Sequence, residues 1–358
     1  MATLTIHATN VTGLGASQVV VSFLEALDKA NTTFSEILCY VPESGPVAEF
    51  KPGSDFFHVF PYKRLGPKAI SRALECLFPG LFFKSSDLLI VLGDVPLRVR
   101  TQQIVLVHQP HLHSPRVNPW VGRSLTYRLM RGLTRLNAKF ASQVIAQTNA
   151  MAEGLKESYE NWRQRDCLTV IGQPPPSWFR TDGRQERLIG DADGLRLFYP
   201  AADYPHKNHQ IFEGLLRLDV SGLVERITLT VPDGRIAHSS KWLYCVGRLN
   251  HEQCLEAYQS ADALVFPSVL ESYGLPLVEA MVMGLPILAS DLPYARALCG
   301  GVAIYFDPKS PENLLAACTE LKQRLGDGWK PDWSAQLQKM PPNWSEVVSA
   351  FLRLADSK

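Results

Sequence analysis

Two carboxylates, Glu271 and Glu279, stand eight positions apart and flank an aromatic-Gly-Leu-Pro turn. Pro276 favours a helix start, because proline fits the first helical turn, so Glu271 is predicted in the loop and Glu279 in the first turns of the helix. The backbone N–H groups predicted to point out of that helix start are those of Tyr273, Gly274 and Leu275. A phosphate or a sugar hydroxyl can be held there. The pattern predicts an anion site flanked by acids, against the alternative that both glutamates decorate a surface helix.

Apolar, strand-like runs alternate with helical patterns along the whole chain. The first series of runs is 4–8, 37–41, 88–92, 104–108, 144–147 and 168–171. The second is 195–199, 227–231, 243–246, 264–266, 287–289 and 302–305. Alternation of this kind predicts α/β architecture with parallel sheets covered by helices.

Three consecutive prolines, Pro174 to Pro176, interrupt this alternation and predict a stiff connector between two doubly wound domains. We therefore expect four segments. These are a first domain at 1–172, a linker at 173–194, a second domain at 195–335 and a last amphipathic helix within 336–358.

Composition narrows the functional class. A chain of 358 residues is longer than a single hydrophobic core usually supports, which suggests two domains. The formal net charge of +1 argues against a nucleic-acid-binding protein. Seven cysteines without a Cys-x-x-Cys pair suggest reduced thiols and no metal site. The amino-terminal residues lack the pattern of a secretion signal, and no apolar run reaches the length of a membrane span, so we expect a cytoplasmic protein.

Ligands of doubly wound sheets bind beyond the carboxyl ends of the strands, and several notable residues fall at such ends. Gly13 and Gly15 lie in a glycine loop between the first strand and a helix, where backbone can approach a ligand closely. This Gly-x-Gly is not the full dinucleotide fingerprint, and a plain turn explains it equally well. His108 ends the run 104–108 and is suited to contact a hydroxyl or to titrate near neutral pH.

In the second half, Lys207 follows the first strand and is suited to neutralise a diphosphate. The turn containing Val246 and Arg248 follows another strand at the same predicted edge. His111 and His113 lie close to His108, but without acidic or cysteine partners nearby a metal site is disfavoured.

The carboxyl-terminal third resembles a known family. The similarity runs through 261–268, the Glu-x7-Glu segment 271–279, 284–291 and 305–308. These motifs resemble retaining glycosyltransferases of family 4, of the bacterial polysaccharide and O-antigen type. The resemblance implies the GT-B fold, in which two Rossmann-like domains face a central cleft, and a metal-independent transfer from a nucleotide sugar that retains anomeric configuration.

The resemblance also implies roles for the strand-end residues. Glu271 would face the donor sugar and Glu279 would bind the nucleotide ribose. Lys207 would bind the diphosphate, and His108 would contact a sugar. The remaining donor-side positions are the glycine loop of Gly13 and Gly15, the turn of Val246 and Arg248 near the nucleobase, and the helix start at Tyr273, Gly274 and Leu275.

One position departs from the family pattern. Many members carry an arginine six residues before the lysine, whereas this chain has Ala201. Arg248 is a candidate to replace that charge, and the backbone amides of Gly274 and Leu275 are another. A weakened enzyme is the third explanation.

A basic helix is predicted between Arg116 and Lys139. Its arginines are Arg123, Arg128, Arg131 and Arg135, and its apolar residues recur at helical spacing at Leu125, Leu129, Leu133, Leu136 and Phe140. The helix either lies on an anionic membrane or packs on its own sheet with solvated arginines. Lys63, Arg64, Lys68 and Arg72 would widen the basic surface.

Three functions are compatible with these patterns. The first is a retaining hexosyltransferase whose partners are a nucleotide sugar and a glycan or polyprenyl-linked glycan acceptor, with no cofactor, no metal and no nucleic acid. The second is a sugar-nucleotide-binding protein of the same fold without transferase activity, motivated by Ala201. The third is a nicotinamide-dependent oxidoreductase, motivated by the glycine loop.

Overall fold

The chain forms two compact units. The computed structural model describes residues 2–115, 120–181, 190, 193–236 and 240–356. Unit 1 comprises the residues up to Ser177 together with those from Met340 onward, and unit 2 runs from Trp178 to Lys339. The division falls within the predicted linker 173–194, of which 182–189 and 191–192 lie outside the described residues.

Unit 1 contains a seven-stranded parallel sheet with the order β3-β2-β1-β4-β5-β6-β7. Its strands are β1 (Ala2–His7), β2 (Phe34–Pro42), β3 (Phe57–Tyr62), β4 (Leu88–Val91), β5 (Gln102–Val107), β6 (Gln143–Ala146) and β7 (Leu168–Val170). The chain winds outward from β1 in both directions, which is doubly wound topology. Because all strands are parallel, their carboxyl ends lie at one edge.

Six α-helices of unit 1 lie among the described residues. They are α1 (Leu14–Asp28), α2 (Lys68–Leu77), α3 (Leu125–Asn137), α4 (Asn149–Ser158), α5 (Glu160–Arg165) and, from the end of the chain, α12 (Trp344–Asp356). The last helix packs on α1, where the rings of Phe23 and Phe351 have centroids 4.9 Å apart. It is also anchored at its start, because Trp344 Nε1 donates a hydrogen bond of 2.7 Å to the Pro175 carbonyl.

Unit 2 contains a six-stranded parallel sheet with the order β10-β9-β8-β11-β12-β13. Its strands are β8 (Leu195–Tyr199), β9 (Val224–Leu229), β10 (Leu243–Cys245), β11 (Ala263–Phe266), β12 (Ile287–Ser290) and β13 (Ile304–Phe306). Its helices are α6 (Gln210–Leu215), α7 (His251–Ser260), α8 (Leu275–Val282), α9 (Pro293–Cys299), α10 (Pro311–Gly326) and α11 (Ser334–Leu337). Strands β8 and β11 are adjacent, so the loops that follow them start side by side.

Burial explains why the apolar runs predicted most strands correctly. Strands β4, β11 and β12 are buried at every position, as expected for parallel strands covered by helices on both faces. The predicted strands omit β3, an edge strand that is partly exposed and contains Pro61. Proline cannot donate to a sheet ladder and is tolerated at an edge, so Pro61 argues against a central strand but not against this edge strand.

The predicted α/β class with two doubly wound parallel sheets is confirmed. Among the described residues, the structure contains no helix that is both long and apolar enough to cross a membrane.

Candidate functional site

Lys207 lies at the carboxyl edge of the unit 2 sheet, in a turn that is fixed by its neighbour Asn208. The chain leaves β8 at Tyr199 and forms a short 3-10 turn that ends at Lys207. Asn208 adopts the left-handed conformation with φ of 57°. Its buried side-chain amide donates hydrogen bonds of 3.2 Å to the Pro267 carbonyl and 2.8 Å to the Pro308 carbonyl. These bonds fix where Lys207 leaves the backbone.

The loop after β11 is bound directly to the Lys207 turn. The carbonyl of His206 accepts hydrogen bonds from Val269 N, at 2.8 Å, and from Ser268 Oγ, at 3.0 Å. Tyr294 Oη in turn donates a 2.6 Å hydrogen bond to the Ser268 carbonyl. The two loops therefore form one ordered surface at the sheet edge.

Lys207 and Glu271 meet on this surface. The distance from Lys207 Nζ to Glu271 Oε1 is 2.5 Å, and the side chains are 17% and 11% exposed. The ammonium also lies 5.8 Å from the centre of the Phe266 ring. A charge-assisted pair that remains partly accessible can exchange partners with an incoming anion and a hydroxyl.

Helix α8 begins directly after this loop, as Pro276 predicted. Gly274 precedes it with φ of 98°, and a Cβ there would lie 3.0 Å from Leu277 Cδ1, so glycine suits the position on both counts. Glu271 lies in the loop and Glu279 in the second turn of α8. No acidic residue lies in the first turn of α8, where the positive end of the helix dipole favours an anion.

Glu279 is a buried carboxyl that accepts a hydrogen bond from Tyr258. It is 6% exposed, and Tyr258 Oη of α7 donates a 2.6 Å hydrogen bond to its Oε2. Burial raises the pKa of Glu279 to about 7, and the bond from Tyr258 opposes this only in part. Among the described contacts, none joins Glu279 to Lys207 or Glu271. The structure therefore pairs Lys207 with Glu271 and holds Glu279 beside Tyr258.

Two histidines next to Lys207 are neutral at physiological pH. Burial, followed by the charge of Lys207, lowers the pKa of His206 to about 4. Burial also lowers the pKa of His209 to about 4. The ring of His206 stacks on Tyr204 at 5.6 Å. These imidazoles therefore leave the positive charge of this turn to Lys207.

The turn of Val246 and Arg248 lies at the carboxyl end of β10. Both residues are exposed, and Gly247 between them has φ of 73°. The pKa of His251 is lowered by burial and then by the charge of Arg248, which places Arg248 near the start of α7. Ala201 is buried and its carbonyl accepts a 3.2 Å hydrogen bond from Thr230. Compensation of Ala201 by Arg248 stays a prediction.

In unit 1, the glycine loop opens onto the start of α1. Gly13 directly precedes α1 with an extended backbone and Gly15 lies in its first turn. A Cβ at either glycine would meet no atom within 4 Å. The surface there is open, and neither residue needs a backbone conformation that only glycine adopts.

His108 follows β5 at the carboxyl edge of the unit 1 sheet. Its backbone N–H donates a 2.8 Å hydrogen bond to Asp94 Oδ1, and its Nε2 lies 3.6 Å from Asp94 Oδ2. His111 and His113 are buried in structural roles: His111 Nδ1 accepts from Gly122 N at 2.9 Å, and His113 Nε2 lies 3.3 Å from the Met151 carbonyl. Within the described part of the chain, no group of three or more potential metal ligands comes together.

The basic helix α3 departs in part from the interpretation of a helix packed on its own sheet with solvated arginines, whereas contact with a membrane stays a prediction. Arg131 is not solvated: it is 5% exposed and donates hydrogen bonds to the His111 and Gly122 carbonyls at 2.9 and 3.1 Å. Leu125 and Leu136 are 79% and 58% exposed, so these two leucines of the apolar series do not pack on the sheet. Arg116 lies outside the described residues.

Sequence reasoning missed three polar residues at these edges. Asn208 follows Lys207 directly, and asparagine's tolerance of left-handed backbone was an available signal. Asp94 follows the run 88–92, so the strand-end argument that selected His108 also applied to it. Tyr258 lies inside an ordinary amphipathic helix, and no local pattern distinguishes it.

The segment 229–324 matches the family model described as Glycosyl transferases group 1, and it contains Glu271 and Glu279. Fold and matched segment together describe an α/β chain of two doubly wound units, of which the second contains a segment similar to group 1 glycosyl transferases.

Curated relatives match over short segments. The chain is 33% identical over 66 residues to the O-antigen chain mannosyltransferase RfbU of Salmonella typhimurium, covering 18% of this chain and 19% of the relative. It is 32% identical over 81 residues to the serotype-specific mannosyltransferase WbdA of Escherichia coli, covering 23% and 10%. The matched part thus spans a fifth or less of these relatives.

Solved structures are similar over the whole chain but at low identity. Anabaena HepE, solved in complex with UDP and glucose, superimposes with a TM-score of 0.67 at 12% identity and covers 100% of both chains. WaaG, a glycosyltransferase involved in lipopolysaccharide biosynthesis, has a TM-score of 0.61 at 13% identity, covering 99% of this chain and 97% of WaaG. These similarities establish the fold.

Proposed function

We propose that this chain is a glycosyltransferase that moves a hexose-type sugar from a nucleoside diphosphate donor to a glycan or lipid-linked glycan acceptor. The observation that carries the proposal is the contact between Lys207 and Glu271 at the carboxyl edge of the unit 2 sheet. It lies directly before a helix start whose second turn carries Glu279. The similarity of part of this chain to two bacterial mannosyltransferases supports the same reaction class.

Lys207 binds the donor diphosphate in this proposal. A nucleotide sugar brings about two negative charges, and an ammonium together with a helix start is suited to stabilise them. Without donor, Glu271 holds the ammonium within hydrogen-bonding distance. When donor binds, Lys207 turns to phosphate oxygens and Glu271 is released to accept a hydrogen bond from a hydroxyl of the transferred sugar.

Glu279 binds the nucleotide ribose. A carboxylate can accept hydrogen bonds from both ribose hydroxyls, and such donors favour its charged form. Tyr258 contributes a third hydrogen bond and fixes the orientation of the carboxyl. Ribose binding therefore supplies part of the free energy that keeps this buried group ionised.

The proposed transfer is metal-independent and retains anomeric configuration. Lys207 supplies positive charge where the leaving diphosphate develops negative charge, which is a role that a metal ion takes in other transferases. We assign no covalent nucleophile. Undiminished turnover in EDTA and an α-linked product from an α-linked donor, observed by NMR, are the expected results.

We further propose a cytoplasmic protein whose unit 1 contacts an anionic membrane surface, where a lipid-linked acceptor would be presented. The support comes from large apolar side chains exposed on α2, α3 and the turn after α2: Ile70 at 57%, Phe78 at 52%, Leu81 at 77%, Leu125 at 79% and Leu136 at 58%. Exposed Arg128 and Arg135 lie on the same helix as the two α3 leucines. Apolar and cationic groups together suit an interfacial surface.

A panel of UDP-, GDP- and dTDP-sugars tests the proposal. At least one is expected to raise the melting temperature of the wild-type chain and of Lys339→Met, an exposed control in unit 2, but not of Lys207→Met. Mass spectrometry of the acceptor then identifies the product.

Binding without turnover on any free or lipid-linked glycan would favour the non-enzymatic alternative. Saturable binding of reduced nicotinamide cofactor with no response to nucleotide sugars would favour the oxidoreductase.

A further inference from the structure

The backbone at the carboxyl end of β4 is unusual. Asp94 has φ of 72°, in the left-handed region that few residues other than glycine adopt. The residue before it, Gly93, has no room for a side chain, because a Cβ would lie 1.9 Å from Asn10 Oδ1. A conformation of this kind persists only where the surroundings enforce it.

Buried side chains enforce this corner. The Gly93 carbonyl accepts hydrogen bonds of 3.0 Å from both Asn10 Nδ2 and Arg72 Nη2. Arg72 is oriented by Glu75, whose Oε2 lies 3.1 Å from Arg72 Nη1, and Glu75 also accepts a 2.7 Å bond from Thr9 Oγ1. Glu75 is fully buried and Arg72 is 8% exposed. Burying the Arg72–Glu75 ion pair costs desolvation energy, and the bonds that this pair and Asn10 supply hold the backbone of Gly93 and thereby position Asp94.

The Asp94 carboxylate faces His108 with one oxygen that lacks a hydrogen-bond donor in the described contacts. Its Oδ1 accepts the His108 backbone N–H at 2.8 Å, whereas its Oδ2 lies 3.6 Å from His108 Nε2, too far for a direct hydrogen bond. The side chains of Asp94 and His108 are 7% and 9% exposed. A single hydroxyl oxygen can lie about 2.8 Å from both atoms and complete the bridge.

The hydrogen-bonding roles of the two atoms are complementary to a hydroxyl. The nearby carboxylate favours the tautomer of His108 that carries its proton on Nε2. A bridging hydroxyl would donate a hydrogen bond to Asp94 Oδ2 and accept one from the Nε2–H group of His108. His108 Nδ1 is buried without a hydrogen-bond partner among the described residues. No described acceptor therefore stabilises the tautomer that carries its proton on Nδ1.

We propose that Asp94 and His108 form a hydroxyl-binding pair for a carbohydrate at the carboxyl edge of the unit 1 sheet, with Asp94 as the hydrogen-bond acceptor. The inference rests on the proposed glycosyl transfer and adds Asp94 to the residues that contact substrate. We assign the hydroxyl to the sugar acceptor. A hydroxyl of the donor sugar has the same chemistry, and the experiment separates the two.

Asp94→Asn is the sharpest variant. Asparagine tolerates the left-handed backbone and keeps the oxygen that accepts the His108 N–H, but its NH2 group cannot accept from a hydroxyl. We expect kcat/KM for transfer to fall about 100-fold, a loss typical of one polar contact to the reacting groups, with an unchanged melting temperature.

Asp87→Asn is the matched control, because Asp87 precedes the same strand, is exposed and accepts a 2.7 Å bond from Thr3 N. It is expected to keep wild-type transfer.

Asp94→Gly distinguishes a role of the Asp94 backbone conformation from a role of its carboxylate. If Asp94 served only to form the turn, glycine would relieve the strain and retain full activity, whereas we expect the same loss as in Asp94→Asn. A raised acceptor KM with unchanged nucleotide-sugar affinity identifies an acceptor hydroxyl. Weaker binding of nucleotide sugar, with unchanged binding of nucleoside diphosphate, identifies a donor hydroxyl and overturns our assignment to the acceptor.

Wild-type turnover by Asp94→Asn would overturn the hydroxyl-binding pair while leaving the proposed function intact. If the wild-type chain neither binds nor transfers any sugar of the panel, the proposed function and this inference fail together.

Discussion

Replacing Glu279 with glutamine should stabilise this protein at alkaline pH and leave its stability at acid pH unchanged. Burial raises the pKa of Glu279 from 4.5 to about 7 in the folded chain. At 1.36 kcal/mol per unit, that shift corresponds to about 3 kcal/mol. Between these two values the folded state binds a proton that the unfolded state has released, so the free energy of unfolding falls as pH rises through this window. Above it the whole penalty of a buried carboxylate is present.

Glu279→Gln removes the penalty and keeps an oxygen that can accept from Tyr258. Chemical denaturation of both proteins at pH 5 and at pH 8 measures the effect. The variant should match the wild type within about 1 kcal/mol at pH 5 and exceed it by about 3 kcal/mol at pH 8. Glu256→Gln, an exposed change on α7, should show no such pH-dependent gain. A wild type equal to or more stable than Glu279→Gln at pH 8 would refute the reasoning.

Three further perturbations test other parts of the account. Lys207→Met should weaken nucleotide-sugar binding by about 10-fold to 100-fold in calorimetric titration, because a charged hydrogen bond to phosphate is lost; unchanged affinity would remove Lys207 from the donor site. Tyr258→Phe removes the donor that lowers the pKa of folded Glu279, so the upper end of the pH range over which stability falls should move upward, and a downward shift or none would contradict that role. Leu81→Glu should reduce cosedimentation with phosphatidylglycerol-containing vesicles, whereas Tyr244→Glu in unit 2 should not; equal binding by both variants would place the membrane surface elsewhere.

The predictable part of this fold follows from burial. Strands covered on both faces produce continuous apolar runs, so the sequence marks β4, β11 and β12 plainly. Among the described strands, β3 pairs with β2 alone and is partly exposed, and this pairing rests on backbone hydrogen bonds that do not require particular side chains. The helix start at Leu275 was predictable because Gly274 and Pro276 act locally.

Contacts between distant residues limited the prediction of the site. The pairing of Lys207 with Glu271 spans 64 residues and follows from β8 and β11 being neighbours, which strand-end reasoning anticipated. The position of Glu279 against Tyr258 depends on how α7 packs beside α8, for which the sequence contains no local signal. Arg131 was misjudged for the same reason, because its carbonyl partners lie in another segment.

The most direct test of the central claim is a crystal structure of the chain soaked with whichever nucleotide sugar stabilises it most. We predict that the diphosphate will lie about 3 Å from Lys207 Nζ, with ribose hydroxyls at a similar distance from the Glu279 carboxyl oxygens. A nucleotide bound elsewhere, for instance with its phosphates on the Gly13 loop and none near Lys207, would contradict the account.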